Sequence, residues 1–242
     1  MADWGLLGVA IGFGVAVIVV SILILVLARR LGPLRKVREQ AVAALCAQRG
    51  LLPGPMNLTA EFGLLSTMDL RSLRNPFSTP DGTVAAADLW HSAGKSVELI
   101  AVLSFTVAGL NVPRVAVVRR YMVDIAPLWG PHPLELESND FDKRFAVWAP
   151  DRRSAVMLLD PGMMQWLLDC QDVNFEMLGD RVLAFVYRTA ALAQQKANAS
   201  PSDPRRTEPV EYELLFRFWD GFIPRLPQLL RSEYGAAPAA TD

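Results

Sequence analysis

Two histidines and two cysteines are all that 242 residues supply of the side chains that most often bind metals or act as nucleophiles. His91 stands beside an expected turn and His132 lies between Pro131 and Pro133, neither with a second ligand at metal spacing. Cys46 and Cys170 are far apart and form no C-x-x-C pair, which argues against a disulfide scaffold or a thiolate metal site and fits a reducing compartment. No serine sits in a G-x-S-x-G elbow, and there is neither a P-loop nor a G-x-G-x-x-G turn. A formal net charge of -1 supplies no global field to draw the chain toward nucleic acid. On these grounds the sequence predicts no catalytic residue, no metal, no cofactor and no nucleic-acid partner.

Charge is missing most completely from Trp4 to Ala28, where no charged residue occurs. As a helix this stretch would measure about 37 Å, enough to cross a hydrocarbon core of about 30 Å with some tilt. Trp4 stands at one end, where an indole favours the headgroup level. Only Asp3 and the amino terminus precede it, whereas Arg29, Arg30, Arg35, Lys36 and Arg38 follow it. The excess of positive charge on one flank predicts that everything after residue 28 is cytoplasmic, with residues 1–3 outside. A cleaved signal peptide would need a basic start and a shorter apolar run, so a retained single-pass anchor in a plasma or inner membrane is expected.

Within that span Gly8, Gly12 and Ala16 recur every four residues, with Gly5 and Gly14 close by. Small side chains on one face let a second helix approach closely, so an integral membrane partner is expected on the outer half of the span. The basic residues Arg29, Arg30, Arg35, Lys36 and Arg38 are expected at the membrane surface, where anionic headgroups attract them.

Beyond the anchor, Pro33 can open a basic juxtamembrane helix across 29–50 that Gly50 stops. Residues 51–193 read as an α+β domain with a mainly antiparallel sheet and packed helices. The 51–55 segment Leu-Leu-Pro-Gly-Pro reads as a break, and Asn75 to Gly82 as a loop. Strands are expected at Thr83–Trp90, Val97–Val107 and Arg114–Val118, the first two joined by Ser92-Ala93-Gly94. Then come a strand at Phe145–Ala149, helices opened by Asp151 and Pro161, and two strands joined by Gly179-Asp180. The polar stretch 194–209 reads as a linker, 210–234 as an amphipathic helix bent at Pro224 and Pro227, and 235–242 as a disordered tail.

Asp140, Asp142, Asp151, Asp160, Asp169, Asp172 and Asp180 fall at positions suited to helix caps and turns, which favours structural roles over acid–base chemistry. Met163, Met164, Trp166, Leu167 and Leu168 offer either a core face or an adaptable contact surface.

The segments Leu136–Val147, Leu158–Leu168 and Phe175–Leu183 form a strand–helix–hairpin module of about fifty residues. With the anchor, this layout resembles actinobacterial single-pass membrane-anchored proteins of largely unknown function. That group includes the lipid uptake coordinator proteins associated with mammalian-cell-entry (MCE) lipid importers. The resemblance implies an accessory role beside an importer permease and carries over no catalytic residue. It stands against two other expectations: a tethered domain binding an amphipathic ligand, with Val97–Val107 lining a pocket, and an unrecognised hydrolase.

Overall fold

The structure, a computed structural model, describes residues 36–56, 62–63, 73–93, 96–120, 132–170, 173–188 and 208–235. The expected span, the expected linker 194–209 apart from 208–209, and the expected tail 235–242 apart from Gly235 lie outside them. Among the described residues no helix is long and apolar enough to cross a membrane.

The first described element is helix α1 (36–48). Strands β1 (Leu52–Pro53), β2 (Arg74–Ser78), β3 (Val84–Ala93), β4 (Ser96–Thr106) and β5 (Val112–Arg119) follow. Next come α2 (Asn139–Arg144), β6 (Phe145–Trp148), α3 (Arg152–Leu158), α4 (Pro161–Asp169), β7 (Asn174–Gly179) and β8 (Arg181–Tyr187). Helices α5 (Val210–Arg225) and α6 (Gln228–Tyr234) complete the described chain. The mixed α+β class and the antiparallel sheet are as expected: eight strands in the order β1-β2-β3-β4-β8-β7-β5-β6, every neighbouring pair antiparallel.

Period-two alternation sends side chains to two separate cores. Ala101, Leu103 and Phe105 of β4, with Val182 and Ala184 of β8, face the described helices. Ile100 and Val102, with Leu183, Phe185 and Tyr187, face the other way and are equally buried, alongside Phe62. Every described helix that contributes to a core does so on the first face. Because both faces of β4 are packed, Val102, Leu103 and Phe105 are core residues.

Helix α5 roofs the sheet. Its Leu215, Phe216, Phe218 and Phe222 are buried, and Phe218 and Phe222 meet Phe105 and Phe175 at ring-centroid distances of 5.3–6.4 Å. Trp166 of α4 stacks on Phe218 at 5.3 Å, close over Gly221, where an added Cβ would come within 2.7 Å of the indole. The amphipathic segment 210–234 is therefore an integral part of the domain core. Its expected bend is present: α5 ends after Pro224, and α6 restarts beyond Pro227.

The caps follow their local signals. Asp151 accepts a hydrogen bond from Ser154 N at 2.8 Å and Asp160 one from Met163 N at 2.7 Å, with Pro161 in the first turn. Gly179 adopts φ +63° at the β7–β8 turn, a conformation that costs glycine little. Three expectations need correction. The 51–55 break contains β1, and the Asn75–Gly82 loop contains β2, a short polar strand irregular in register that begins beside Asn75 at φ +50°. Strand β3 runs on through Ala93, which pairs with Ser96, so Ser92-Ala93 belongs to the ladder rather than the turn.

Candidate functional site

The most unusual chemistry in the described chain is a buried charge cluster at the start of α1. Arg38, expected at the membrane surface, is only 8% exposed and points into the domain. Its Nη1 and Nη2 donate to the two carboxylate oxygens of Asp88 on β3 at 2.8 and 2.9 Å. Its Nε donates to Glu211 Oε1 at the start of α5 at 3.1 Å, and Nη2 reaches the same oxygen. Arg188, just beyond β8, adds a bond to Glu211 Oε1 at 2.7 Å. Asp88 also accepts from the Tyr212 hydroxyl and from Asn75 Nδ2, each at 3.1 Å.

Two guanidinium groups thus face two carboxylates, and the bidentate Arg38–Asp88 pair satisfies the donor fork in the geometry it prefers. Burial works against the Arg38 charge, but Asp88 and Glu211 outweigh it and hold the guanidinium more firmly protonated than usual. Burial, with Asp88 nearby, drives the Tyr212 hydroxyl well above its ordinary range. The same two causes push the neighbouring Cys46 thiol up to about 12, and burial takes Cys170 to about 11. Both thiols stay protonated at neutral pH, so neither is poised as a nucleophile. The cluster's chemistry is fastening: it joins α1, β3, the end of β8 and α5 in one place.

Arg38 must therefore be removed from the set of surface residues. A charge inside an amphipathic helix faces whichever way its counter-charges lie, and here they lie in the core. Lys36, two residues earlier, is exposed. Gly5, Gly8, Gly12, Ala16, Arg29, Arg30 and Arg35 lie outside the described residues. Asp88, Glu211 and Arg188 were not singled out from sequence. Asp88 carried a signal, being the lone charge in the apolar run Val84–Leu89, and a buried charge there demands a partner.

The second feature is a surface depression of about 570 Å³ between the approach to α2 and helices α3 and α4. Leu136, Val156, Leu159, Met164 and Leu168 line it, with Glu137 and Gln165 at its rim. The apolar residues of α4 divide accordingly: Met163 and Leu167 are buried in the core, while Met164 and Leu168 reach the depression. The aspartates nearby are occupied with structure. Asp142 accepts from Leu136 N, and Asp151 and Asp160 cap helices. Among the described residues no group of histidine, cysteine, aspartate and glutamate side chains could hold a metal ion.

Comparison with protein-family models, with characterised proteins and with solved structures finds no match.

Proposed function

We propose that this chain is a non-enzymatic accessory subunit, anchored by residues 4–28 and carrying a cytoplasmic domain that stabilises a larger membrane complex. An MCE-type importer of lipids or fatty acids is the complex that the sequence resemblance points to. One observation supports the reading above others: Arg38, only ten residues beyond the apolar stretch, is locked into the domain by Asp88 and Glu211. A domain fastened so close to its anchor works at a fixed height over the bilayer, as a subunit that braces a neighbouring permease must. In this reading Gly5, Gly8, Gly12 and Ala16 present the face on which the partner helix packs.

The depression lined by Leu136, Val156, Leu159, Met164 and Leu168 favours a second reading, a tethered domain that binds an amphipathic ligand. Its volume falls in the range of small-molecule sites.

Purification of the full chain from its native membrane in mild detergent separates the two. Wild type is expected to bring permease subunits with it, and Gly12→Leu to bring about five- to thirty-fold less, since a bulky side chain between the helices costs about 1–2 kcal/mol. Leucine inserts at least as well as glycine, so the variant reaches the membrane normally. A protein that emerges alone with bound lipid supports the second reading instead.

A further inference from the structure

Four large apolar side chains stand exposed among the described residues: Val37 at 49%, Leu52 at 56%, Trp90 at 41% and Val156 at 49%. Two of them border the buried cluster. Val37 directly precedes Arg38, and Trp90 lies two residues beyond Asp88 on the same side of β3, because alternate strand residues share a face. The bidentate Arg38–Asp88 bond holds these two short stretches together. Lys36, also exposed, lies on the same helix.

We infer that Val37 and Trp90, with Lys36 beside them, rest on the lipid surface from which the chain's own anchor emerges. The inference rests on the anchored reading above and gives the anchor's domain an orientation. Only residues 29–35 separate the apolar stretch from Lys36. That connection spans roughly 12 Å if helical and no more than about 28 Å if extended, so this end of the domain must lie next to the membrane. The side chains there suit such a place: an indole favours the headgroup level, an aliphatic chain the acyl boundary beneath it, and an ammonium group anionic phosphates. Behind them, the carboxylates of Asp88 and Glu211 are matched by Arg38 and Arg188, so the buried acids set up no net repulsion against an anionic surface.

Leu52 supplies the internal contrast. It pairs with Ser78, which pairs with Ala85, five residues from Trp90 along β3. That separation is about 17 Å, so equal exposure at Leu52 lies at the end of the sheet turned away from the bilayer.

The test places an environment-sensitive thiol probe at Trp90→Cys, Val37→Cys, Leu52→Cys or Ile18→Cys in the full chain, one site at a time. Cys46 and Cys170 are buried and do not compete for label. Each protein is reconstituted in phosphatidylcholine–phosphatidylglycerol vesicles with a nitroxide on a fraction of the headgroups or at mid-chain. Headgroup nitroxide is expected to quench residues 90 and 37 at least about two-fold more than residue 52, as a headgroup-level position requires, and mid-chain nitroxide to quench residue 18. Equal, weak quenching at 90, 37 and 52 with strong mid-chain quenching at 18 overturns the lipid contact and leaves the anchor standing. No quenching at 18 overturns the anchor and the contact together. The probe at Val37 decides the matter if replacement of Trp90 disturbs the fold.

Discussion

Two arginines eleven residues apart, Arg38 in α1 and Arg49 just past its end, fasten this segment to α5, and they do so under opposite conditions. Arg38 meets Glu211 inside the protein, while Arg49 meets Asp220 in solvent at 2.8 Å. Since 38 pairs with 211 and 49 with 220, the two helices run side by side in the same sense. At the buried end, fixed partners replace water and the charges are neutralised as a group. At the open end, water competes for both side chains, each more than a third exposed. The geometry of a salt bridge says little about its worth until the medium is known. The buried cluster decides how the domain is put together, whereas the exposed pair adds a small adjustment to a seam already fixed by apolar packing.

Breaking the buried end has the largest expected effect. Arg38→Met leaves Asp88 and Glu211 in the core with Arg188 as their remaining guanidinium, and should lower stability by about 3–5 kcal/mol. Arg38→Met combined with Asp88→Leu removes charge of both signs and leaves Glu211 with Arg188, so it should lose less than the single substitution. Denaturant unfolding of the full chain in detergent, followed by tryptophan fluorescence, measures both. A double variant weaker than the single one would show that Asp88 matters for its bonds to Tyr212 and Asn75 more than for its charge.

An intermediate case lies on the other face of the sheet. Glu176 is fully buried, accepts from Gly63 N at 2.8–2.9 Å, and pairs with Arg114, whose side chain is 42% exposed. Glu176→Gln keeps the shape but weakens charge-assisted bonds, and should cost about 1–3 kcal/mol, less than Arg38→Met. Arg114 can turn to water when its partner goes, a freedom that Asp88 and Glu211 lack. Amide exchange should quicken at Gly63 more than at β4, which localises the loss to the contact of residues 62–63 with the sheet.

The smallest effect belongs to the open end. Arg49→Ala should change stability by no more than about 0.5 kcal/mol, with a difference from wild type that shrinks further at high salt. Arg49 also lies over the Phe216 ring at 5.4 Å. A loss well above 1 kcal/mol that persists in salt would therefore move the weight from the ion pair to that packing contact.

Local chemistry was legible wherever neighbours in sequence are neighbours in space. Asp151 and Asp160 bond to amides three residues on, Pro161 opens its helix, and Gly179-Asp180 turns one strand into the next. The alternation in β4 and the bend of 210–234 at its two prolines also follow from short-range rules. Strand β2 escaped because Asn75 and Pro76 carry turn signals, and its pairing with β3 overrides them. The inward turn of Arg38 escaped because Asp88 is 50 residues away and Glu211 is 173. No window of sequence contains all three.

What the sequence by itself determined is therefore most of the elements: their periods, their caps, many of their boundaries, and the apolar stretch that precedes them. Tertiary structure alone decided which charges are surface and which are core, that α5 roofs the sheet, and that Arg38 of α1 is bonded to Asp88 of β3. Caps and turns are settled by hydrogen bonds within a few residues, whose energies do not depend on the rest of the chain. The burial of a charge depends on whether counter-charges arrive from distant segments before water is excluded, and only the assembled fold can bring them there.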